Sequence, residues 1–478
     1  MKITFIIPPA LDNENPAERT AGCTRLVYPM PNIYELTVAA LMEQERHEVA
    51  YKDFALSEGN RHDLEDFLSK DESDIYMLWS VNLSLATDLE TIRLIRNHHN
   101  ESNIVLMGPG VTYYTDKLLT DSHTFVVRGE PELTVKELTR TLQAKGDVKD
   151  IKGISFMENG AIRHNPPREL NRDLDALPFP ARHFIEHYPY SNPKLKLHPY
   201  TTVVTSRNCP FKCIYCVPSS LTFAREIEYK RENGKKPPVG YRSVENVIEE
   251  LEMLARQGYR AITFIDDNFI TTAKRLRPIC ECLKKHGIVW GCQARVDAIT
   301  EEIAQILHES DCQFVDLGVE SFNDEILAYI KKGITSRQIY EGIGILKKYN
   351  VPVKLNILIG TSPLETEETV KDTFRQAKSL GVSQVMFNIV APFPGTEFYE
   401  KAKKKGWIIG GDYTPTDVQH HSILNYPNLS SKQMEDLLFR NNLLFFLRFS
   451  FIWMHIRKFD SVSDFTTALR ALKRKLFH

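Results

Sequence analysis

Residues 201–220 read TTVVTSRNCPFKCIYCVPSS. β-Branched residues crowd the run from Tyr200 to Thr205, which predicts a strand. The strand leads straight into Cys209, Cys213 and Cys216, a C-x3-C-x2-C triplet. Thiolates bind soft metals and iron–sulfur clusters. Three closely spaced thiolates can hold three irons of a four-iron cluster and leave the fourth iron open to a ligand. Structural zinc is the rival metal, but it usually takes four closed ligands. No fourth Cys or His lies near the triplet, and no second C-x2-C occurs in the chain. The remaining cysteines, Cys23, Cys280, Cys282, Cys292 and Cys312, read as small apolar core residues. Eight cysteines in 478 residues, with no secretory segment, point to a reducing cytosol rather than a disulfide framework.

Downstream of the triplet the chain alternates strand and helix patterns. VENVIEELEMLARQG has a helical period, and AITFIDDNF reads as a strand ending in acids. IVWGCQARVD, FVDLGVES, VKLNILIG and QVMFNIVAPFPGT follow as strands, with helical patterns between them. Six strands with intervening helices fit a partial (β/α)6 barrel of the TIM type. Chemistry in such barrels sits at the carboxyl ends of the strands. The cysteines, Asp266, Asp267, Arg295, Glu320, Gly360 and Pro394–Gly395 all fall there. Simpler roles stay open at this point. Asp266 and Asp267 could cap the following helix, and Arg295 and Glu320 could form an ion pair with each other.

Upstream, residues 1–145 show five strand–helix repeats, from KITFIIPP to HTFVVRGEPE and its helix ELTVKELTRTLQ. Such alternation predicts a doubly wound, Rossmann-like parallel sheet. Ligands of these sheets bind outside the carboxyl ends of the strands. Those ends carry Pro8–Pro9, Ser80–Ser84, Gly108–Gly110 and Gly129–Glu130. Gly108 and Gly110 would let the backbone approach a ligand closely. Residues 149–195 read as a connector: a hairpin turning at Asn159–Gly160, then the proline-rich DLDALPFPAR.

The bulk composition is that of a soluble globular chain, 42% apolar and 26% charged with a net charge of −2. It gives no argument for nucleic acid as a partner. The apolar stretch after Met1 is too short for a signal peptide or a membrane span. From Arg440 to His478 there are eight Lys or Arg against two Asp or Glu, around the Phe-rich run NNLLFFLRFSFIWMHIRKF. That segment reads as a terminal helix packed on the body, or as a basic amphipathic stretch meeting a membrane surface or a greasy substrate.

Together these motifs resemble the cobalamin-binding radical S-adenosylmethionine (SAM) enzymes. The triplet after the first barrel strand matches that family's cluster signature. Tyr215 matches the aromatic that packs near the adenine. FIDDNF (264–269), GVESFNDEIL (318–327) and NILIGTSPLET (356–366) are similar to strand ends that meet SAM, and APFPGTEFYE (391–400) to the sixth-strand signature. The resemblance implies a [4Fe-4S] cluster on Cys209, Cys213 and Cys216. It implies SAM against Tyr215, Asp266, Asp267, Arg295, Glu320 and Gly360. It implies cobalamin against Pro9, Ser80, Ser84, Gly108, Gly110, Gly129 and Glu130. The expected domains are 1–148 for cobalamin, 149–195 as connector, 196–405 as the SAM barrel and 406–478 as a basic, Phe-rich helical region.

The family resemblance further implies reductive cleavage of SAM to a 5′-deoxyadenosyl radical, which takes hydrogen from an unactivated carbon. Methyl transfer to a biosynthetic intermediate is then the expected outcome. Oxidative ring closure or rearrangement is the alternative within the family, and a non-enzymatic cobalamin or cluster sensor is the alternative outside it. A small-molecule substrate, a flavodoxin or ferredoxin as electron donor and a cytoplasmic setting with contact to a membrane surface complete the expectation. One departure matters. The Asp-x-His-x-x-Gly motif that places a histidine under cobalt is absent from residues 1–145, and His47, His98, His99 and His123 lack its spacing. Cobalamin without a protein histidine ligand is therefore expected.

Overall fold

The computed structural model describes residues 1–9, 11, 30–56, 59–216, 220–382, 384–414, 416 and 418–448, with backbone only for 220–224. Cys23 and the basic stretch beyond residue 448 lie outside the described residues.

The first domain alternates β1 (Lys2–Ile7), α1 (Ile33–Gln44), β2 (Glu48–Asp53), α2 (Arg61–Leu68), β3 (Ile75–Trp79), α3 (Leu85–His98), β4 (Asn103–Met107), α4 (Val111–Leu118), β5 (Thr124–Val127) and α5 (Pro131–Gln143). The strands pair in parallel in the order β2-β1-β3-β4-β5. β3 is buried along its whole length, as a strand covered by helices on both faces must be. The order reverses between β1 and β3, which makes that boundary the switch point where a crevice opens. Hairpin β6 (Ile154–Glu158) and β7 (Ala161–His164) adds to β5 in antiparallel pairing. The seven-stranded sheet thus includes the hairpin that the sequence assigned to the connector. The exposed β7 suits an edge, and the half-buried pattern of β6 carries no record of which strand it joins.

The second domain contains β8 (Tyr200–Val203), β9 (Ser206–Arg207), α6 (Ser220–Asn233), β10 (Gly240–Tyr241), α7 (Val244–Arg256), β11 (Ala261–Phe264), α8 (Ala273–His286), β12 (Val289–Ala294), α9 (Glu301–Glu309), β13 (Cys312–Glu320), α10 (Asp324–Tyr329), α11 (Ser336–Lys348), β14 (Val353–Ile359), α12 (Glu367–Ser379), β15 (Gln384–Ile389), α13 (Glu397–Lys404) and α14 (Ser431–Phe446). The barrel strands pair in parallel in the order β15-β14-β13-β12-β11-β8, which is the expected partial barrel. Side-chain caps start the helices where the sequence offers them: Ser243, Thr272, Thr300, Thr335, Thr366, Thr396 and Ser430 each accept a hydrogen bond from the first turn.

Alternation divides each barrel strand. Outward residues such as Phe264, Trp290, Val315, Leu355 and Phe387 pack under the helices. The floor of the lumen is closed by the connector, where Lys194 Nζ lies 3.1 Å from both Asp316 oxygens and Lys354 Nζ reaches the same carboxylate at 2.9 Å. A single apolar cluster runs from Ile3, Phe5 and Leu36 of the first domain through Ile185, Tyr190 and Leu195 to Tyr200, Ala261 and Phe314 of the barrel. The two domains therefore share a core.

Candidate active site at the barrel mouth

The loop from Asn208 to Cys216 is held from several sides. β9, just before it, pairs with β10. Ile214 N–H donates to Ile330 O and Phe398 N–H to Ile214 O, both at 3.0 Å. Lys236 Nζ donates to Phe211 O at 2.8 Å. Cys209, Cys213 and Cys216 are half-buried free thiols. Burial pushes the Cys216 thiol well up, and the neighbouring Cys213, Cys209 and Asp267 add to it while Lys332 opposes. Burial likewise raises Cys209, against a backbone hydrogen bond from Phe211. Positive charge among the three sulfurs would favour the ionised forms of Cys209 and Cys216. Among the described residues no three Cys, His, Asp or Glu side chains gather at the spacing of a single ion. Three thiolates on one loop suit a cluster that spreads them over separate irons.

The barrel-mouth residues are brought together, each with a partner of its own. Asp266 is fully buried and accepts from Thr205 N at 3.0 and 3.1 Å, Thr205 Oγ1 at 2.8 Å and Ser206 Oγ at 2.5 Å. Its carboxylate is spent on the strand end that precedes the cysteines, and Thr272, not an aspartate, caps α8. The Asp267 charge is near enough to raise the thiols of Cys209 and Cys216. Arg295 makes a two-pronged pair with Asp297 at 2.9 and 3.0 Å and stacks 3.6 Å over the ring centre of Phe211, inside the cysteine loop. Glu320, in the left-handed region at φ 64°, pairs with Lys332 at 2.8 Å. The Arg295–Glu320 ion pair left open by the sequence does not form. Lys332 also lies 3.4 Å from the buried Tyr215 hydroxyl. Gly318 makes room for this pair, since a Cβ there would sit 2.8 Å from Glu320 Oε1 and 2.9 Å from Lys332 Nζ. At the end of β14, Glu365 accepts from the N–H groups of Gly360, Thr361 and Ser362 at 2.8, 2.7 and 3.2 Å, and Tyr426 donates to Gly360 O at 2.7 Å.

The carboxyl ends of the first sheet are built differently. The Ser80 hydroxyl, the Asn82 amide oxygen and the Thr112 hydroxyl are buried and have no hydrogen-bond partner among the described residues. Each such atom carries a desolvation cost that a hydrogen bond would relieve. Ser80 and Asn82 follow β3 at the switch point, Thr112 opens α4 after the neighbouring β4, and the buried Pro9 follows β1. Gly108 and Gly110 have a different task from the one expected. A Cβ on Gly108 would lie 2.6 Å from Ser80 O, and one on Gly110 would lie 2.7 Å from Val81 C. These glycines let the β4–α4 loop rest on the β3 loop. Ser84 is occupied within its own turn, accepting from Val81 N at 2.9 Å and donating to Asp88 at 2.6 Å. Gly129, at φ 78°, and Glu130 lie two strands from the switch point, and Glu130 binds Arg207 at 2.7 Å. His47 and His123 precede β2 and β5, and His98–His99 end α3 ahead of β4. All four sit at the opposite edge of the sheet from the crevice.

The two mouths face each other. Thr202 Oγ1 on β8 donates to Pro31 O at 3.0 Å. The Tyr113 hydroxyl of α4 reaches the loop after β15, where a Cβ on Gly395 would lie 3.0 Å away.

A family model described as the radical SAM superfamily matches residues 203–377. Over 457 residues the chain is 33% identical to a protein of Pyrococcus horikoshii named an uncharacterized methyltransferase, covering 94% of this chain and 93% of that one. The chain belongs to the radical SAM superfamily. This radical SAM enzyme is also 23% identical, over 67% of its length and 64% of the relative's, to the bacteriochlorophyllide d C-12(1)-methyltransferase of Chlorobaculum tepidum. Its fold matches that of the radical SAM methyltransferase TsrM from Kitasatospora setae, solved with cobalamin and a [4Fe-4S] cluster. The TM-score is 0.65 at 16% identity, over 84% of this chain and 75% of that one.

Three residues of the enzyme's mouth escaped the sequence reading. Glu365 sits in the quoted NILIGTSPLET, five residues after Gly360, and that spacing is a usable signal for a carboxylate turning back onto a strand end. Lys332 and Tyr426 carry no such signal, because each meets its partner only through the fold.

Proposed function

We propose that this radical SAM enzyme is a cobalamin-dependent methyltransferase acting on an unactivated carbon of a small, largely apolar molecule. The observation that carries the reading is a three-thiol loop at the carboxyl end of a partial barrel, joined through a shared core to the carboxyl end of a doubly wound sheet. When bound, the cluster supplies the electron that breaks a carbon–sulfur bond of SAM, and cobalamin supplies a transferable methyl group.

The chain's own residues bind, orient and exclude water. Cys209, Cys213 and Cys216 are the cluster ligands in this reading. Asp267, Tyr215, Arg295, Glu320 and Gly360 shape the SAM site, with Lys332 holding Glu320 and Asp266 holding the strand end. Ser80, Asn82 and Thr112 would hydrogen-bond the corrinoid's amide groups, and Pro9 would border them. Ala391, Phe393, Val418 and Tyr413 form an apolar patch beside the loop after β15, which suits a dry pocket for a reactive radical. Residues 1–148 with the β6–β7 hairpin serve cobalamin, 149–195 otherwise connect, and 196–405 serve SAM. In 406–478, Phe439 and Leu444 on α14 and Leu447 just after it are exposed, which supports contact with a membrane surface or an apolar substrate. No described helix is long and apolar enough to cross a membrane. A reducing, cytoplasmic setting and a flavodoxin- or ferredoxin-like electron donor suit a thiolate-held cluster.

The test is product mass. Reduced enzyme, hydroxocobalamin and SAM labelled with deuterium in its methyl group are incubated with small-molecule extract from the source cells. A product gaining one labelled methyl is expected. A product that loses two hydrogens and takes no label would move the assignment to oxidative cyclisation.

A further inference from the structure

One turn of the first domain meets the flanks of the cysteine loop charge for charge. The turn is Arg128-Gly129-Glu130 between β5 and α5, continued by Pro131-Glu132 in the first turn of α5. Arg207 ends β9, two residues before Cys209, and Arg225 and Glu228 lie on α6, the helix after Cys216. Glu132 Oε1 accepts from Arg207 Nη2 at 2.5 Å and Glu130 Oε1 from Arg207 Nη1 at 2.7 Å. Glu130 Oε1 also lies 3.4 Å from Arg225 Nε, and Arg128 Nη1 lies 3.3 Å from Glu228 Oε2. The second Glu130 oxygen accepts from Asn171 N at 2.6 Å. All six charged residues are buried. Three buried cations face three buried carboxylates, and the exposed Arg231 reaches Glu228 from outside at 3.3 Å, so the buried part of the seam is neutral. Buried charges of this kind are costly when one partner is lost, and they favour a single register of the two surfaces.

We propose that this seam is a positioning device: Glu130 and Glu132 hold Arg207, and through it the first thiolate of the cluster loop, in fixed register against the corrinoid sheet. The proposal rests on the functional reading of both mouths. It assigns Glu130 to the cluster side of the enzyme, where the sequence had suggested cobalamin. A radical generated at one mouth and a methyl held at the other must meet within a bond's reach, so the register of the two domains matters to the reaction. Glu132 and Glu130 are positioning residues, acting through Arg207.

The test compares Glu132→Gln, Glu130→Gln and the double variant Glu132→Gln/Arg207→Gln with wild type after anaerobic reconstitution. The readouts are iron per chain under limiting iron, the cluster's reduction potential and hydroxocobalamin affinity by absorption titration. Each single variant leaves one positive charge in excess beside the cluster. Iron retention should fall about tenfold, as for other residues that orient metal ligands, and the potential should shift positive. Corrinoid affinity should stay at the wild-type value. The double variant restores neutrality, and its potential should return toward wild type. Unchanged iron and potential in the single variants would overturn the proposal. So would a loss of corrinoid affinity with the cluster intact, which would make the turn a corrinoid site. If the single variants do not fold, the neutral double variant decides: depleted iron supports the seam, and a fully loaded cluster overturns it. Wild-type protein that binds no corrinoid would defeat the functional reading, while iron and potential would still judge the seam.

Discussion

The barrel mouth and the carboxyl end of the first sheet differ in how their polar groups are held. At the barrel mouth the charged Asp266, Arg295, Glu320 and Glu365 are each engaged by the protein itself, while the neutral Asn268 and Asn388 keep an amide oxygen buried without a partner among the described residues. In the crevice Ser80, Asn82 and Thr112 bury polar atoms that the described chain does not satisfy. The first arrangement is preorganised: its geometry persists whether or not a ligand is present, which suits a site that must hold a reactive group in one orientation. The second carries an energetic cost that a hydrogen-bonding ligand would relieve. A fold can therefore prepare charged groups by internal pairing and leave neutral ones to be completed by a cofactor.

The largest effect expected is at the cysteine loop. Cys213→Ala should abolish both iron–sulfur absorption and SAM cleavage after anaerobic reconstitution. Persistent SAM cleavage would break the comparison at its strongest side. Next comes the internal pairing itself. Lys332→Met leaves Glu320 buried without its cation, and chemical unfolding should show a loss of about 3–5 kcal/mol. A loss within error would mean that the barrel mouth is not held by this pair.

The closed floor of the barrel gives a pH signature. Burial pushes the Lys194 ammonium down to about 8, against the pull of Asp316. An unfolded lysine titrates near ~10.4. Between those values the unfolded chain holds the extra proton, so stability from this group rises with pH, and below about 8 its penalty is constant. Lys194→Met should remove that rise, worth ~3 kcal/mol, when unfolding is compared at pH about 7.5 and about 10.5. Parallel curves for wild type and variant would contradict a buried, charged plug.

The smallest and most discriminating effect is in the crevice. Thr112→Val and Ser80→Ala remove orphaned hydroxyls, so cofactor-free protein should gain up to ~1 kcal/mol of stability. Corrinoid affinity should fall about tenfold for each hydrogen bond lost. Ordinary destabilisation with unchanged corrinoid binding would show that these groups serve the apoprotein alone.

These contrasts also explain what the sequence could convey. The six barrel strands and the cysteine triplet were legible because alternation and spacing are local properties. Placing the β6–β7 hairpin was not possible from its own residues, since the pairing with β5 depends on which edge is open. Glu130 looked like a strand-end ligand because it occupies such an end, but its partner Arg207 is 77 positions away. Gly108 and Gly110 were recognised as close-approach positions, and what approaches them is another loop of the same sheet. Asp266 was recognised as a strand-end acid, while its commitment to Thr205 and Ser206 emerges only when β8 and β11 lie side by side.

The central claim is that both mouths are loaded in one chain. Anaerobically purified wild-type protein, reconstituted with iron, sulfide and hydroxocobalamin and then freed of excess, should carry one four-iron cluster and one corrinoid per chain. The corrinoid spectrum should be that of the base-off form without a histidine ligand. A full cluster with no retained corrinoid would contradict the account.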